Sequence, residues 1–140
     1  MSAGTGVQQS EHSRGDEQLR LLQIWIFSDR NNHVPAYGEY RFLWKDRLNQ
    51  WLHIVSKIGV KAPININQDT NLYVIQLSAG QKNEFTVGKG RQAYLVQIEG
   101  NSEINGLTVN ERDALESIET NLSITAIGIS HLLVVELSID

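Results

Sequence analysis

From Leu21 onward, short apolar segments alternate with polar turns rich in Gly, Asn, Asp and Ser. The apolar segments contain many Val, Ile, Leu and Tyr residues, and several of them alternate apolar with polar positions. Strands spaced about ten residues apart with turns between them are typical of an all-β sandwich or barrel. The predicted strands are 22–26, 51–55, 64–67, 72–77, 84–87, 93–98, 102–104, 107–109, 114–118, 122–127 and 131–137.

Two local patterns sharpen this prediction. Asn105-Gly106 lies between two short apolar segments, and an Asn-Gly step in that setting is a strong signal for a two-residue hairpin turn. Helical periodicity is weak along the chain. Residues 44–51 could form one helical turn, since Trp44, Leu48 and Trp51 would share a helical face. A loop whose aromatic side chains cap one end of a barrel is an equal alternative there.

The first twenty residues have a different composition from the rest. They are mostly Gly, Ser, Gln and charged residues with few large apolar side chains. This composition predicts a flexible leader or a segment laid over another surface, so we divide the chain into 1–20 and 21–140. The leader has no apolar stretch like that of a signal peptide, and no apolar run approaches the ~20 residues of a membrane span.

Composition narrows the function classes. A chain of 140 residues is long enough for one domain with a packed core. Twelve Lys and Arg against sixteen Asp and Glu give a formal net charge of -4, so we expect neither nucleic-acid nor membrane binding. The chain has no cysteine, which excludes disulfides, thiolate nucleophiles and Cys-ligated metals. This fits a cytoplasmic protein.

Motifs for catalysis are sparse. The four histidines, His12, His33, His53 and His131, include no pair at the spacing that lets one strand or helix bind a metal with two imidazoles. We therefore expect structural roles for them. The chain has no Gly-x-Ser-x-Gly nucleophile elbow. Its two Gly-x-Gly steps do not join a strand to a helix, as a phosphate-binding loop would require.

Several segments resemble one protein family. They are Met1-Ser2-Ala3-Gly4-Thr5-Gly6-Val7 with Ser10-Glu11, 22–26 with Pro35 and Tyr37, 47–51, 68–69, 72–73, 77–80 and 96–113. Together they resemble the pirin and quercetin-dioxygenase-like branch of the cupin superfamily. The resemblance implies that 21–140 forms a single cupin-type jelly-roll β-barrel equivalent to the C-terminal half of a two-cupin protein. Residues 1–20 would be the irregular connecting segment.

The resemblance also bears on metal binding. In the family, the metal ligands are a His-x-His pair and a later His and Glu. The later pair corresponds to Gln9-Ser10-Glu11, where only Glu11 matches, and the His-x-His strand would precede Met1. His12 is a substitute candidate, although neighbouring residues of an extended chain point to opposite sides. We therefore expect no metal and no other cofactor, with Glu11 and His12 as the remaining metal candidates.

An enzyme stays open as the alternative. A metal-dependent, quercetinase-like oxygenase would need a site assembled across chains from His53, His131 and either Glu11 or His12. A third hypothesis is that the chain is a cupin that binds a small molecule.

The hypothesis of small-molecule binding has its own candidate residues. A barrel mouth lined by Asn65, Asn67, Gln76 and Tyr94 would provide hydrogen-bonding groups for such a ligand. The simpler interpretation of 64–67 is that the two asparagines face solvent while Ile64 and Ile66 face the core.

Our main functional expectation is association without catalysis. Half of a two-cupin protein would expose the face that packs against the other half, and a homodimer would cover it. Trp25, Phe27, Tyr37 and Phe42 are the candidates for that interface or for the core. The leader could cross to the partner as an exchanged arm, and another protein could take the place of the second copy.

Overall fold

The computed structural model describes residues 1–139, in which ten strands and one 3₁₀ turn form the regular structure. The 3₁₀ turn covers Trp44–Arg47. The strands are β1 (Leu52–Lys57), β2 (Ile64–Ile66), β3 (Thr70–Leu77), β4 (Lys82–Phe85), β5 (Arg91–Glu99), β6 (Ser102–Ile104), β7 (Leu107–Val109), β8 (Ala114–Ile118), β9 (Leu122–Ala126) and β10 (Ser130–Ser138). No helix within this described range is long and apolar enough to cross a membrane.

The strands form two sheets that face each other. The larger sheet has six strands in the order β2-β1-β3-β10-β5-β8, and the smaller has four in the order β4-β9-β6-β7. All pairs are antiparallel except β1 with β2. β10 lies in the middle of the six-stranded sheet between β3 and β5. One face of β10 contributes to the core between the sheets, and the other contributes to a separate apolar cluster.

The main core fills the space between the sheets. Alternate residues of β3, β5 and β10 point toward the four-stranded sheet, because successive side chains of a strand face opposite sides. Ile75, Leu95 and Leu132 are among those with no exposed surface. They pack against Ile104 and Ile124 of the smaller sheet. This two-sheet, all-β sandwich fits the cupin-type jelly roll that the resemblance predicts, although the two sheets do not close into one continuous barrel.

A second apolar cluster lies on the outer face of the six-stranded sheet. Leu72, Val74 and Leu133 are its buried members, and Ile26 packs on them from residues 20–47, which we call the N-terminal segment. Isolated backbone hydrogen bonds, and no ladder of them, join this segment to the sheet. In one of them, the Asp29 N–H donates to the Asn67 carbonyl at 2.8 Å. Residues 20–47 thus cover the outer face without joining the sheet as a strand.

The strand predictions from 51 onward are confirmed with small shifts of the ends, such as 84–87 against β4. The Asn105-Gly106 hairpin is also confirmed, with both residues at positive φ between β6 and β7. Residues 44–51 contain a shorter helical element than the pattern allowed. The strand predicted at 22–26 is wrong: this segment has no ladder of backbone hydrogen bonds, and only its side chains contact the sheet.

Candidate functional site

A pocket opens at the end of the sandwich where β3 begins and β10 ends. We call it the open-end pocket; it has a volume of about 390 Å³ and is lined by Trp51, Asn71, Tyr73, Glu84, Phe85, Thr86 and Glu136. Asn71 and Tyr73 are alternate residues of β3, so both face the interior. Glu136 enters from β10, whose register pairs it with Asn71. Trp51, just before β1, and the end of β4 complete the lining.

Three aromatic rings form one side of the open-end pocket. Trp51 and Phe85 have ring centroids 5.0 Å apart at an interplanar angle of 73°, and Tyr73 and Phe85 are 5.2 Å apart at 66°. These are edge-to-face contacts, which place the positive edge of one ring against the negative face of another. The Trp51 indole N–H donates to the Glu84 carbonyl at 2.9 Å and so fixes the ring.

An ion-pair network forms the base of the pocket. Arg91 donates to Glu136 through Nε, and through Nη2 at 2.9 Å, and its Nη1 donates to Asp69 at 2.7 Å. Asn71 also donates to Glu136, at 2.7 Å. Burial alone would raise the pKa of Glu136, but the bonds from Arg91 and Asn71 outweigh it, and the pKa lies below its usual value. Glu136 therefore carries a stable negative charge at the pocket base.

Two other groups in this region differ in their hydrogen bonding. His53 lies 3.0 Å from the Asn71 side-chain oxygen and stacks on Tyr73 with centroids 4.3 Å apart, so it has a structural role. The Tyr73 hydroxyl has no hydrogen-bond partner among residues 1–139. Burial, and next the charge of Glu136, raise the pKa of Tyr73, so this hydroxyl keeps its proton at neutral pH. It is a free donor and acceptor within the pocket.

A second concave region, of about 440 Å³, lies at the β2 edge of the sheet. Asp29, Arg30 and His33 line it from the N-terminal segment, and Lys57 and Asp69 line it from the sheet. His33 Nε2 is 2.6 Å from Asp29 Oδ1, and this bond lowers the pKa of Asp29. This region has charges of both signs and no Phe, Tyr or Trp among its lining residues, unlike the open-end pocket.

The metal candidates do not meet in one site. Glu11 and His12 are both exposed in the leader. His53 faces the interior, whereas His131 is on the outer face of the same sheet beside Trp44 and Arg47. Within residues 1–139, no group of three or more His, Asp and Glu side chains could hold a metal ion. The donors of this stretch do not fit the family's four-ligand metal centre, and we derive no catalytic step from it.

The predicted ligand-cavity residues are dispersed. Asn65 donates to Ser56 Oγ and to carbonyls of the β1–β2 connection, while Asn67 donates to Ser2 Oγ at 2.8 Å. Gln76 accepts a bond from the Trp44 indole on the outer face. Tyr94 is exposed on that face. The open-end pocket contains none of these four, and of them only Asn67 lines the region at the β2 edge.

Three of the four interface candidates are strongly exposed. Trp25 is 86% exposed, Phe27 93% and Tyr37 75%, whereas Phe42 is partly buried and lies against Tyr40. None of the four belongs to either apolar cluster. Trp25 and Phe27 flank Ile26, which points toward the sheet, so both project away from it. The N-terminal segment therefore has an apolar outer surface.

Arg47 and His131 hold the 3₁₀ turn against the outer face. Arg47 lies over the Trp44 ring at 4.5 Å, and its Nη1 is 3.3 Å from His131 Nε2. Its Nε is buried and has no hydrogen-bond partner among the described residues. Burial, with a smaller effect of the Arg47 charge, lowers the pKa of His131. A neutral His131 can accept the hydrogen bond from Arg47.

Sequence reasoning missed the open-end pocket. Its aromatic and acidic residues lie far apart along the chain, between positions 51 and 136, and only the strand order brings them together. One signal was present: Asn71 and Tyr73 share a face with the apolar residues Ile75 and Leu77. A polar residue at the start of a buried strand face indicates the end of a core, where pockets form.

The chain is similar to several known proteins. Residues 53–137 match the quercetinase C-terminal cupin domain. The chain is 35% identical over 140 residues to "Putative quercetin 2,3-dioxygenase PA1210" of Pseudomonas aeruginosa, covering 99% of this chain and 60% of that protein. It is 30% identical over 116 residues to "Quercetin 2,3-dioxygenase" of Escherichia coli K12, covering 82% and 49%. The chain thus spans half to three fifths of these relatives.

A solved structure shows the same fold. The bacterial pirin YhhW of Escherichia coli, in complex with nickel(II), superimposes with a TM-score of 0.73 at 23% identity. The match covers 81% of this chain and 48% of that chain. At this identity the likeness concerns the fold alone.

Proposed function

Because the chain belongs to the pirin-like family, whose quercetinase C-terminal cupin domain it contains, we propose that it is a cupin module that acts by self-association rather than by catalysis. Residues 21–140 are the associating module in this proposal, and residues 1–20 are the connecting segment. The observation that carries the proposal is the apolar outer surface of the N-terminal segment.

The N-terminal segment has many large apolar side chains in contact with water. Twelve large apolar residues between positions 19 and 48 are exposed: Leu19, Leu21, Leu22, Ile24, Trp25, Phe27, Val34, Tyr37, Tyr40, Leu43, Trp44 and Leu48. Single exposed apolar residues are common, but monomeric proteins rarely expose contiguous apolar patches above a few hundred Å². Aromatic residues are also enriched at the centres of protein interfaces. The concentration on one segment favours an interface.

A second copy of this chain is the occupant we propose. A two-fold interface must be complementary to itself, so it needs both signs of charge around its apolar centre. The segment supplies both: Arg20, Arg30 and Arg41 are basic, whereas Asp29 and Glu39 are acidic. Exchange of the leader between copies is part of the proposal.

Size-exclusion chromatography with light scattering tests the proposal. We expect the wild-type chain to elute with twice the mass of one chain, and the variant Trp25→Ser/Phe27→Ser to elute as a monomer. Leu107→Ser is the matched control, because Leu107 is 63% exposed on the other sheet. A monomeric wild type, or equal dissociation of the Leu107→Ser variant, would contradict self-association through this surface.

A quercetinase-like dioxygenase is the second candidate, and the printed names of the relatives favour it. In this chain it would need metal ligands from outside the described residues, since those residues lack the required cluster. Elemental analysis of protein purified without chelators discriminates between the two candidates. Stoichiometric iron, nickel, copper or manganese would favour the enzyme, whereas substoichiometric metal supports the non-catalytic module.

A further inference from the structure

Arg47 is a partly buried cation without a carboxylate partner. It forms no ion pair with any Asp or Glu of residues 1–139. Its Nη1 lies 3.3 Å from His131 Nε2, its buried Nε has no hydrogen bond, and its Nη2 has none to any described residue. A charge taken out of water without an opposite charge is costly. The single chain therefore leaves this guanidinium group without the partner that its burial requires.

Arg91 shows how a partly buried arginine is satisfied inside the fold. It donates to Glu136 through two nitrogens and to Asp69 through a third, and these bonds, first of all that to Glu136, raise its pKa. Burial lowers the pKa of Arg47, and no carboxylate of the described chain opposes that effect. The two pKa values move in opposite directions because Arg91 has carboxylates within reach and Arg47 has none.

The surroundings of Arg47 belong to the apolar outer surface. Its Cζ lies 4.5 Å from the centre of the Trp44 ring, and Trp44 is 51% exposed although its indole N–H donates to Gln76. Leu43 and Leu48, on either side of the 3₁₀ turn, are exposed as well. Trp and Arg are enriched among the residues that contribute most to protein interfaces. This part of the surface therefore has the composition of an interface centre.

A second copy of the chain can supply the missing carboxylate, because a two-fold interface brings the same segment of both copies together. The N-terminal segment has three carboxylates. Asp29 bonds His33, whereas Glu39 and Asp46 bond no basic group of the described chain. We infer that a carboxylate of the second copy, Glu39 or Asp46, binds Arg47. This inference rests on the proposed self-association and adds a specific polar contact to its apolar surface.

Removal of the charge is the first test, with dissociation constants of the dimer measured by sedimentation equilibrium. Arg47→Gln should weaken the dimer by at least about thirtyfold, the lower end of the effect of truncating one partner of a buried charge pair. Arg41→Gln is the matched control, because Arg41 is exposed on the same segment and forms no ion pair with a described residue. It should change the dissociation constant by less than about threefold. Equal effects of the two variants would contradict the inference.

Exchange of charges distinguishes a contact between copies from a role of Arg47 within one chain. Arg47→Glu should abolish dimerisation, because it places like charges opposite each other. Either Arg47→Glu/Glu39→Arg or Arg47→Glu/Asp46→Arg should restore a dissociation constant within about tenfold of the wild type, since the opposite charges then meet again. Loosening of the 3₁₀ turn would not be repaired in this way. Failure of both double variants to restore the dimer would overturn the inference.

The same measurements separate the failure of this contact from the failure of the proposed function. A dimeric wild type with an unchanged dissociation constant in Arg47→Gln would overturn the contact and leave self-association standing. A wild type that stays monomeric at every concentration would overturn both. A dimer that Arg47→Gln weakens and that one of the double variants restores is the result we expect.

Discussion

The two faces of the six-stranded sheet use aromatic residues in different ways. On the inner face, Trp51 and Tyr73 each contact Phe85 of the facing sheet, and Trp51 donates a hydrogen bond to the backbone. On the outer face, Trp25 and Phe27 contact solvent, although they flank an isoleucine that packs on the sheet. The inner rings are held by the fold itself, whereas the outer rings would be held only by another molecule.

The backbone explains this difference. The inner rings belong to β3, to the end of β4 and to the residue before β1, so the hydrogen-bonded sheets position them. The outer rings belong to a segment joined to the sheet by isolated bonds. A segment of this kind opens at a lower free energy than a sheet strand does. The sheets therefore fix the inner rings, whereas the weakly attached outer segment is free to rearrange.

Leu132 and Leu133 allow the stability of the two faces to be compared directly, because they are adjacent in β10 and face opposite sides. They also have the largest expected effect. Leu132 has no exposed surface in the core, and Leu133 lies under the N-terminal segment. We expect Leu132→Ala to lower the free energy of unfolding by about 3–5 kcal/mol and Leu133→Ala by about 2–3 kcal/mol. Urea denaturation measures both. A larger loss for Leu133→Ala would mean that the outer cluster is the more stabilising one.

The ion pair at the pocket base has the next largest expected effect. Arg91→Met leaves Glu136 with only Asn71 as a hydrogen-bond donor, so we expect a loss of about 2–4 kcal/mol, somewhat reduced by the partial exposure of both groups. Lys82→Met, on the exposed side of β4, is the control and should change stability by less than about 0.5 kcal/mol. Similar losses in the two variants would contradict a special role for Arg91.

The pH dependence of stability follows from Glu136 with a defined sign. Its pKa is lowered in the folded state, so its contribution is complete above the usual value of 4.5 and is lost as the pH falls through the folded-state pKa. As the pH is lowered from about 5 to about 3, the urea midpoint should therefore fall less steeply for Glu136→Gln than for the wild type. The variant lacks the carboxylate whose protonation is linked to unfolding. An identical slope in both proteins would contradict this assignment.

The smallest expected effect on stability comes from the protonation of His131, which lies on the outer face. Its pKa is lowered in the folded state, so its neutral form favours folding above the usual value of 6.5, and this stability is lost as the pH falls below it. Tryptophan fluorescence should show that acid loosens the contact between Trp44 and His131, and that His131→Gln reduces this change. A change of equal size in the variant would exclude His131 as its source.

Sequence reasoning predicted the strands well and their outer covering poorly. Strands from β1 onward were visible because alternation and turn residues are local properties of the chain. Residues 22–26 have the composition of a strand, but a strand also needs a free edge to pair with, and that depends on the whole topology. The resemblance identified the family correctly, since it rested on segments spread along most of the chain.

The candidate site was harder to predict for a related reason. Asn65, Asn67, Gln76 and Tyr94 are suitable types of residue for a cavity, yet they lie at different places on the folded sheet. The strand order, which single-strand patterns do not contain, determines which side chains meet. Histidine spacing is a local signal instead, because a pair of metal-binding histidines on one strand or helix is visible without knowledge of the topology.

Sedimentation equilibrium of the wild-type chain over a range of micromolar concentrations tests the proposed self-association most directly. The exposed aromatic residues of the outer face predict a reversible monomer–dimer equilibrium, with the apparent mass rising toward twice that of one chain. The mass of a single chain at every concentration would contradict it, since Trp25 and Phe27 would then remain in water without a second copy to cover them.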